Sequence, residues 1–64
     1  MRKKLILWER EHGYTGRHVA RKLEISDSAW SKIKRGKQTP TLRQVERLKK
    51  EFLIDDIFEL LKEE

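Results

Sequence analysis

Residues 15–35 read TGRHVARKLEISDSAWSKIKR, and this stretch decides the fold of the chain. Apolar side chains recur at helical spacing on either side of Glu24–Ser26, and they are Val19, Ala20, Leu23, Ala29, Trp30 and Ile33. Thr15 and Ser26 are favourable N-cap residues, because each side-chain oxygen can accept a hydrogen bond from an amide of the first helical turn. The stretch therefore predicts a helix, a three-residue turn and a second helix.

A further helix is predicted before this stretch. Leu5, Trp8 and His12 share one face at helical spacing. Gly13 can adopt the left-handed conformation that ends such a helix. Gly36 ends the helix after the turn.

Two more helices are predicted after it. Thr41 followed by Gln44 is a capping-box arrangement, and Asp56 with Glu59 suits a second one. The helix after Thr41 has an apolar stripe of Leu42, Val45, Leu48 and Phe52. The sequence thus predicts one compact all-α domain over the 64 residues, with five helices at about 2–12, 16–23, 27–35, 41–52 and 56–62.

Composition excludes several classes of protein. A chain of 64 residues has room for one small domain. Because it has no cysteine, neither a disulfide scaffold nor a thiolate zinc site is expected. It has no 18-residue apolar run, so no membrane span is predicted. With 16 basic and 11 acidic side chains and a pI near 9.8, an anionic partner is expected, and nucleic acid is the commonest.

Charge is distributed unevenly along the chain. Residues 1–50 hold 15 basic and 5 acidic side chains, a net charge of +10. Residues 51–64 hold 1 basic and 6 acidic side chains, a net charge of −5. We expect the basic part to contact the anion, and the acidic tail to turn away from it or to face a partner.

In this order and spacing, the segments resemble the Cro/cI-repressor-like, or XRE-type, helix-turn-helix domains. The resemblance runs from Leu5 to Leu61 and is carried by Gly13-Tyr14-Thr15, Val19–Leu23, Ile25-Ser26, Ile33–Gly36, Pro40-Thr41-Leu42 and Asp55–Leu61. It implies a five-helix lambda-repressor-like fold and a DNA-binding transcriptional regulator. The regulator would be a cytoplasmic, nucleoid-associated repressor of a phage, mobile element or bacterium. It would bind a palindromic operator as a homodimer, with its third helix in the major groove.

The resemblance also implies which residues contact DNA. Base edges would be read by Asp27, Ser28, Ser31 and Lys32. Phosphates would be contacted by Arg17, Arg35, Lys37, Gln38 and Thr39, together with amides at the start of the second helix and, secondarily, Lys22 and Arg43. Asp27 has two interpretations: it accepts from cytosine N4, or it is only a favourable charge at a helix N-terminus.

The chain departs from the family pattern at several positions. Gly16 and Asp27 stand where the family usually has glutamine, so the phosphate-clamping and adenine-reading roles of those glutamines are not implied here. Glu24 stands where the turn usually has glycine, which predicts a strain of ~1 kcal/mol if the left-handed conformation is kept. Glu9 and Lys34 invert the charges of a common arginine–glutamate pair, which predicts an ion pair of reversed polarity between the first and third helices.

Trp30 stands where the family normally has a branched aliphatic residue. Its helical phase predicts an inward side chain, in a pocket enlarged beside Trp8 or Tyr14. The alternative, stacking of Trp30 on an unpaired base, is disfavoured by the same phase.

The C-terminus carries more apolar side chains than one short helix can bury: Phe52, Leu53, Ile54, Ile57, Phe58, Leu60 and Leu61. We predict a dimer interface that includes Leu53, Ile57 and Leu61. The alternative is a last helix that simply closes the core of a monomer.

Three other classes of function are alternatives to a DNA-binding regulator. An enzyme is disfavoured, because His12, His18 and Tyr14 form no recognisable catalytic or metal-binding pattern and the chain has no phosphate-binding loop or nucleophile motif. No cofactor or metal is expected. A protein-interaction module that binds an antirepressor, a toxin or polymerase through the acidic, apolar last helix is the second interpretation. A basic amphipathic membrane binder fits poorly, since the basic residues are spread over several helices.

Overall fold

The computed structural model describes residues 1–63 and contains five α-helices. They are α1 (Lys3–Glu11), α2 (Gly16–Leu23), α3 (Asp27–Lys34), α4 (Leu42–Phe52) and α5 (Ile57–Leu60). No strand occurs in these residues, so the predicted all-α class is confirmed. The first four helices match their predicted bounds to within one residue, whereas α5 is a single turn. Glu64, included in the predicted domain, lies outside the described residues.

Local side-chain hydrogen bonds begin three of the helices. The hydroxyl oxygens of Thr15, Ser26 and Thr41 each accept from the backbone N–H three residues later, at 3.1, 3.0 and 3.1 Å. The Gln44 side chain completes the capping box of α4, because its Oε1 accepts from the Thr41 N–H at 2.9 Å. These caps confirm the predicted starts of α2, α3 and α4, and a cap of this kind contributes about 1 kcal/mol.

The predicted second capping box is wrong. Asp56 precedes α5 but its side chain accepts no cap hydrogen bond from the described backbone. The Glu59 carboxylate is instead bonded to Lys4 of α1 and lies 3.3 Å from Lys62 Nζ. Two ammonium groups attract this carboxylate more strongly than one backbone amide does, so α5 is held by its neighbours rather than by its own cap.

Four residues with positive φ reverse the chain. Gly13 (φ 70°) and Gly36 (φ 79°) follow α1 and α3, as predicted. Glu24 (φ 60°) and Leu53 (φ 52°) follow α2 and α4 and are left-handed without being glycine. Glu24 therefore keeps the left-handed conformation, for which a strain of ~1 kcal/mol is expected. Arg47 of α4 supports this turn, since its Nε donates to the Lys22 carbonyl at 2.7 Å and its Nη2 lies 3.6 Å from Glu24 Oε2.

One core joins all five helices. It consists of Leu5, Trp8, Val19, Ala20, Leu23, Trp30, Ile33, Leu48 and Ile57. Within it, α2 packs against both α3 and α4, while α1 packs against α3 and α5. Leu42, predicted to lie in the inward stripe of α4, is 72% exposed, because it is the first residue of the helix and lies beyond the core.

The predicted dimer interface needs correction at Ile57. This side chain is 3% exposed and belongs to the core of its own monomer, so it is not available to a partner. Leu61 is half-buried and packs against the same core. Leu53 is 88% exposed. Successive residues of a helix lie about 100° apart, so α5 directs Ile57 inward and the adjacent Phe58 outward, at 74% exposed.

Among residues 1–63, no helix combines the length and the hydropathy that crossing a bilayer requires.

Candidate nucleic-acid interface

The pair α2–α3 holds one face of α3 inside the molecule. Trp30 and Ile33 are each 1% exposed, as their helical phase predicts. Ala20 of α2 is fully buried, which allows the close approach of the two helices that its small side chain suggests. Ile25 lies half-buried in the turn and packs against the core. The inward face of α3 is thus locked, and its opposite face is left at the surface.

The outward face of α3 carries the four predicted base-reading residues. Asp27, Ser28 and Lys32 are exposed, and Ser31 is half-buried. Residues three and four apart are neighbours on a helix surface, so these side chains form one continuous polar strip. The strip combines hydroxyl groups, which donate and accept, with one ammonium donor and one carboxylate acceptor.

Asp27 lies beside a predicted phosphate-contacting cation. Its Oδ2 is 3.8 Å from Nε of Arg17, and both side chains are largely exposed. Such an exposed pair contributes at most ~1 kcal/mol to stability. Its effect is local: it brings a guanidinium of α2 to the first turn of α3, where the Asp27 charge is itself favourable.

The remaining predicted phosphate contacts lie at the other end of α3. The Lys32 carbonyl accepts from the N–H groups of Lys37 and Gln38, at 2.9 and 3.3 Å. This bonding folds the loop directly against the end of the helix. Lys37 and Thr39 are exposed there and Gln38 is half-buried. The secondary candidates Lys22 and Arg43, like Arg35, are also exposed.

The predicted ion pair between the first and third helices is confirmed. Lys34 Nζ donates to Glu9 Oε1 at 2.9 Å, with the two side chains 21% and 11% exposed. Sequence reasoning missed the second bond of the same carboxylate: the indole Nε1 of Trp30 donates to Glu9 Oε2 at 2.6 Å. A buried indole N–H needs an acceptor, and this requirement was the available signal.

Sequence reasoning also missed Arg2, which contacts the backbone of the predicted interface from the interior of the fold. Its side chain is buried, with Arg2 5% exposed. Nη1 donates to the Ile33 carbonyl at 2.7 Å and to the Gln38 carbonyl at 3.1 Å. Nε donates to the Leu61 carbonyl at 3.0 Å, and the backbone N–H donates to the Lys34 carbonyl at 2.8 Å. Because these acceptors are backbone atoms distant in sequence from Arg2, no sequence motif indicates these hydrogen bonds.

The two histidines do not form a joint site. The Tyr14 ring lies between them, stacked against His12 and against His18 with a centroid distance of 5.4 Å in each case. Trp8 and Phe52 complete this aromatic cluster. In the part of the chain that the structure describes, no group of three or more histidine or carboxylate side chains is placed to hold a metal ion.

A groove of about 700 Å³ lies along α4 and the start of α5. Three of its lining side chains are apolar and strongly exposed: Leu42, Leu53 and Phe58. Charged side chains of both signs also line the groove. The basic ones include Arg43, Lys49 and Lys50, and the acidic ones are Glu46, Glu51 and Asp55. The C-terminal part therefore presents Leu42, Leu53 and Phe58 along this α4–α5 groove, whereas Ile57, which also lines it, is buried.

No family model, curated protein or solved structure matches this chain.

Proposed function

We propose that this protein is a sequence-specific double-stranded DNA-binding regulator of transcription, a repressor of the Cro/cI-like helix-turn-helix type. One observation carries the proposal. The α3 helix has its inner face locked into the core, while its outer face presents Asp27, Ser28, Ser31 and Lys32 as one polar strip.

Such a strip suits the major groove. The groove of B-DNA is about 12 Å wide and admits one α-helix. There, Lys32 donates to guanine O6 and N7, and the hydroxyl groups of Ser28 and Ser31 donate or accept at either base of a pair. Asp27 accepts from cytosine N4 or orients Arg17; its contact with Arg17 favours the second role.

Cations at both ends of α3 support the proposal electrostatically. Arg17 lies at its start, and Arg35 and Lys37 lie at its end. Residues 1–50 carry a net charge of +10, so this part of the chain attracts a polyanion. Contacts to phosphate fix the register of a protein on DNA, while contacts to base edges select the sequence.

A homodimer belongs to the same proposal. On a palindromic operator, two copies of α3 would lie about 34–36 Å apart on one face of the duplex. The α4–α5 groove favours a second copy as its occupant, because basic Arg43, Lys49 and Lys50 and acidic Glu51 and Asp55 lie on one surface. A twofold arrangement can pair the basic part of one copy with the acidic part of the other. We place the dimer in the cytoplasm of a bacterial or phage-infected cell.

The same groove favours a second candidate function. Leu42, Leu53 and Phe58 would also receive an apolar segment of another protein, such as an antirepressor or a toxin. This protein-interaction module would not need the polar strip of α3. DNA binding therefore separates the two candidates.

Selection from a pool of random duplexes tests the proposed function. We expect one enriched palindrome, and a plot of log K against log salt that falls by about 0.9 for each phosphate neutralised. Lys32→Ala should relax specificity at one base pair, at ~1–3 kcal/mol, whereas Lys37→Ala should weaken specific and random duplexes alike. Lys3→Ala, which removes an exposed cation of α1, is the matched control. Equal weakening of both duplexes by Lys32→Ala, or no enriched sequence, would contradict the base-reading role.

A further inference from the structure

The C-terminal end of α3 is capped by a residue from the start of the chain. The last four carbonyls of an α-helix have no partner within the helix. Two such carbonyls of α3 accept from Arg2: Ile33 from Nη1 at 2.7 Å, and Lys34 from the backbone N–H at 2.8 Å. A buried guanidinium also complements the partial negative charge of a helix C-terminus.

The same guanidinium holds the loop that follows α3. Its Nη1 donates to the Gln38 carbonyl at 3.1 Å, while the Gln38 N–H donates to the Lys32 carbonyl at 3.3 Å. Gln38 is therefore held through both of its backbone polar groups. Its neighbours Lys37 and Thr39 project from this fixed backbone and are exposed.

A third side-chain bond joins Arg2 to the C-terminal part of the chain. Its Nε donates to the carbonyl of Leu61, the C-cap of α5, at 3.0 Å. The acceptors thus come from the end of α3, the α3–α4 loop and the end of α5. Arginine suits this position, because its rigid planar fork presents donors in several directions at once, whereas a lysine ammonium is a single point at the end of a flexible stem.

We infer that Arg2 is a positioning residue for DNA binding: from inside the fold, it fixes the loop that presents Lys37, Gln38 and Thr39 to the phosphate backbone. The inference rests on the proposed function. Arg2 is 5% exposed, so it acts through the loop and not by touching DNA. Its link to Leu61 also makes the geometry of the DNA-facing loop depend on where the C-terminal segment is seated.

Arg2→Gln, Arg2→Lys and the control Lys3→Gln test this inference. Lys3→Gln removes the same charge from the adjacent, exposed position. Two quantities are measured on folded protein: the affinity for the selected operator and for a random duplex over a range of salt, and amide hydrogen exchange at residues 36–39 compared with α4.

Arg2→Gln should weaken binding to both duplexes about tenfold, as expected when charge-assisted hydrogen bonds that order a contact surface are lost. Because Lys37 is no longer held in position to contact a phosphate, the slope of log K against log salt should flatten by about 0.9 or more. Exchange at residues 36–39 should accelerate while that of α4 is unchanged. Arg2→Lys retains the charge but not the planar fork, so each of these effects should be present but smaller than in Arg2→Gln. Lys3→Gln should show neither the slope change nor the faster exchange.

Either of two results would overturn the inference. One is an Arg2→Gln protein that binds both duplexes with the affinity and salt slope of Lys3→Gln. The other is unchanged exchange at residues 36–39 in both Arg2 variants. If Arg2→Gln does not fold, Arg2→Lys decides by the same two criteria. A wild-type protein that binds neither duplex would instead contradict the proposed function, and the exchange data would still decide whether Arg2 orders the loop.

Discussion

Glu9 shows how much depends on a single carboxylate. It accepts from Lys34 with one oxygen and from the Trp30 indole with the other, so it joins α1 to α3 twice. The resemblance predicted the first bond, because Glu9 and Lys34 invert the charges of a common arginine–glutamate pair. Through the second bond, Trp30 contributes a buried hydrogen bond to the core as well as apolar surface.

The first prediction concerns this three-residue cluster. Lys34→Gln should lower the free energy of unfolding by about 1–3 kcal/mol, because the largely buried Glu9 carboxylate loses its charged partner. Glu9→Gln should be destabilising as well, and the double variant should cost about 1 kcal/mol less than the sum of the two. Urea unfolding measures all three.

Lys32→Gln is the matched control, because Lys32 lies exposed on the same helix. Its free energy of unfolding should stay within about 0.5 kcal/mol of the wild-type value. Additive effects of Glu9→Gln and Lys34→Gln would mean that the ion pair does not contribute to stability.

At the scale of elements, the helices differ in how they are held. The α2, α3 and α4 helices begin at their own capping hydroxyl groups, so neighbouring residues specify where they start. The α5 helix has no such side-chain bond at Asp56; its Ile57 packs in the core and its Glu59 contacts Lys4 of α1. This difference explains why the caps of α2, α3 and α4 were predicted correctly, whereas the cap predicted for α5 was wrong.

The second prediction concerns the pH dependence that α5 confers. Hydrogen bonding from Lys4, and then from Lys62, lowers the pKa of Glu59 below its ordinary value of 4.5. A carboxyl group whose pKa is lower in the folded state stabilises the fold at pH values above its unfolded pKa, and this contribution disappears as the pH falls through the folded pKa. Glu59→Gln should therefore lose less stability than wild type between about pH 6 and pH 3.

Thermal unfolding across this pH range measures the difference. Glu11→Gln, which alters an exposed carboxylate of α1, serves as the control and should lose stability with pH as the wild type does. Parallel pH profiles for Glu59→Gln and the wild type would show that the tie between α1 and α5 carries no pH dependence.

At the scale of the whole molecule, the two parts of the chain differ in charge and in exposed surface. The α2–α3 pair and its loop present cations and polar groups, whereas the α4–α5 groove presents Leu42, Leu53 and Phe58. Arg2 links the two parts, since its guanidinium contacts the loop after α3 and the end of α5. A small domain that buries a limited core also gains stability when it associates with a second copy.

The third prediction concerns that association. Phe58→Ser and Leu53→Ser should each raise the dissociation constant of the proposed dimer about tenfold or more, as the loss of an apolar anchor does. Because both side chains lie at the surface, the monomer should remain folded. Sedimentation equilibrium at micromolar concentration measures the change.

Leu7→Ser is the matched control, because Leu7 is 51% exposed on α1, away from the groove. It should leave the dimer unaffected. A wild-type protein that is strictly monomeric both alone and on DNA would contradict the dimer, and would favour another protein as the occupant of the groove.

The sequence by itself determined the all-α class, the starts of α2, α3 and α4, and the outward face of α3. Each of these depends on helical spacing or on a cap within three residues, so local pattern is sufficient. Tertiary structure alone decided that Arg2 lies inside, where its side chain donates to backbone carbonyls 31, 36 and 59 residues away. It also decided that Ile57 enters the core while Phe58 faces outward. These outcomes depend on which distant backbone carbonyls and apolar surfaces come together when the helices pack, and no local pattern carries that information.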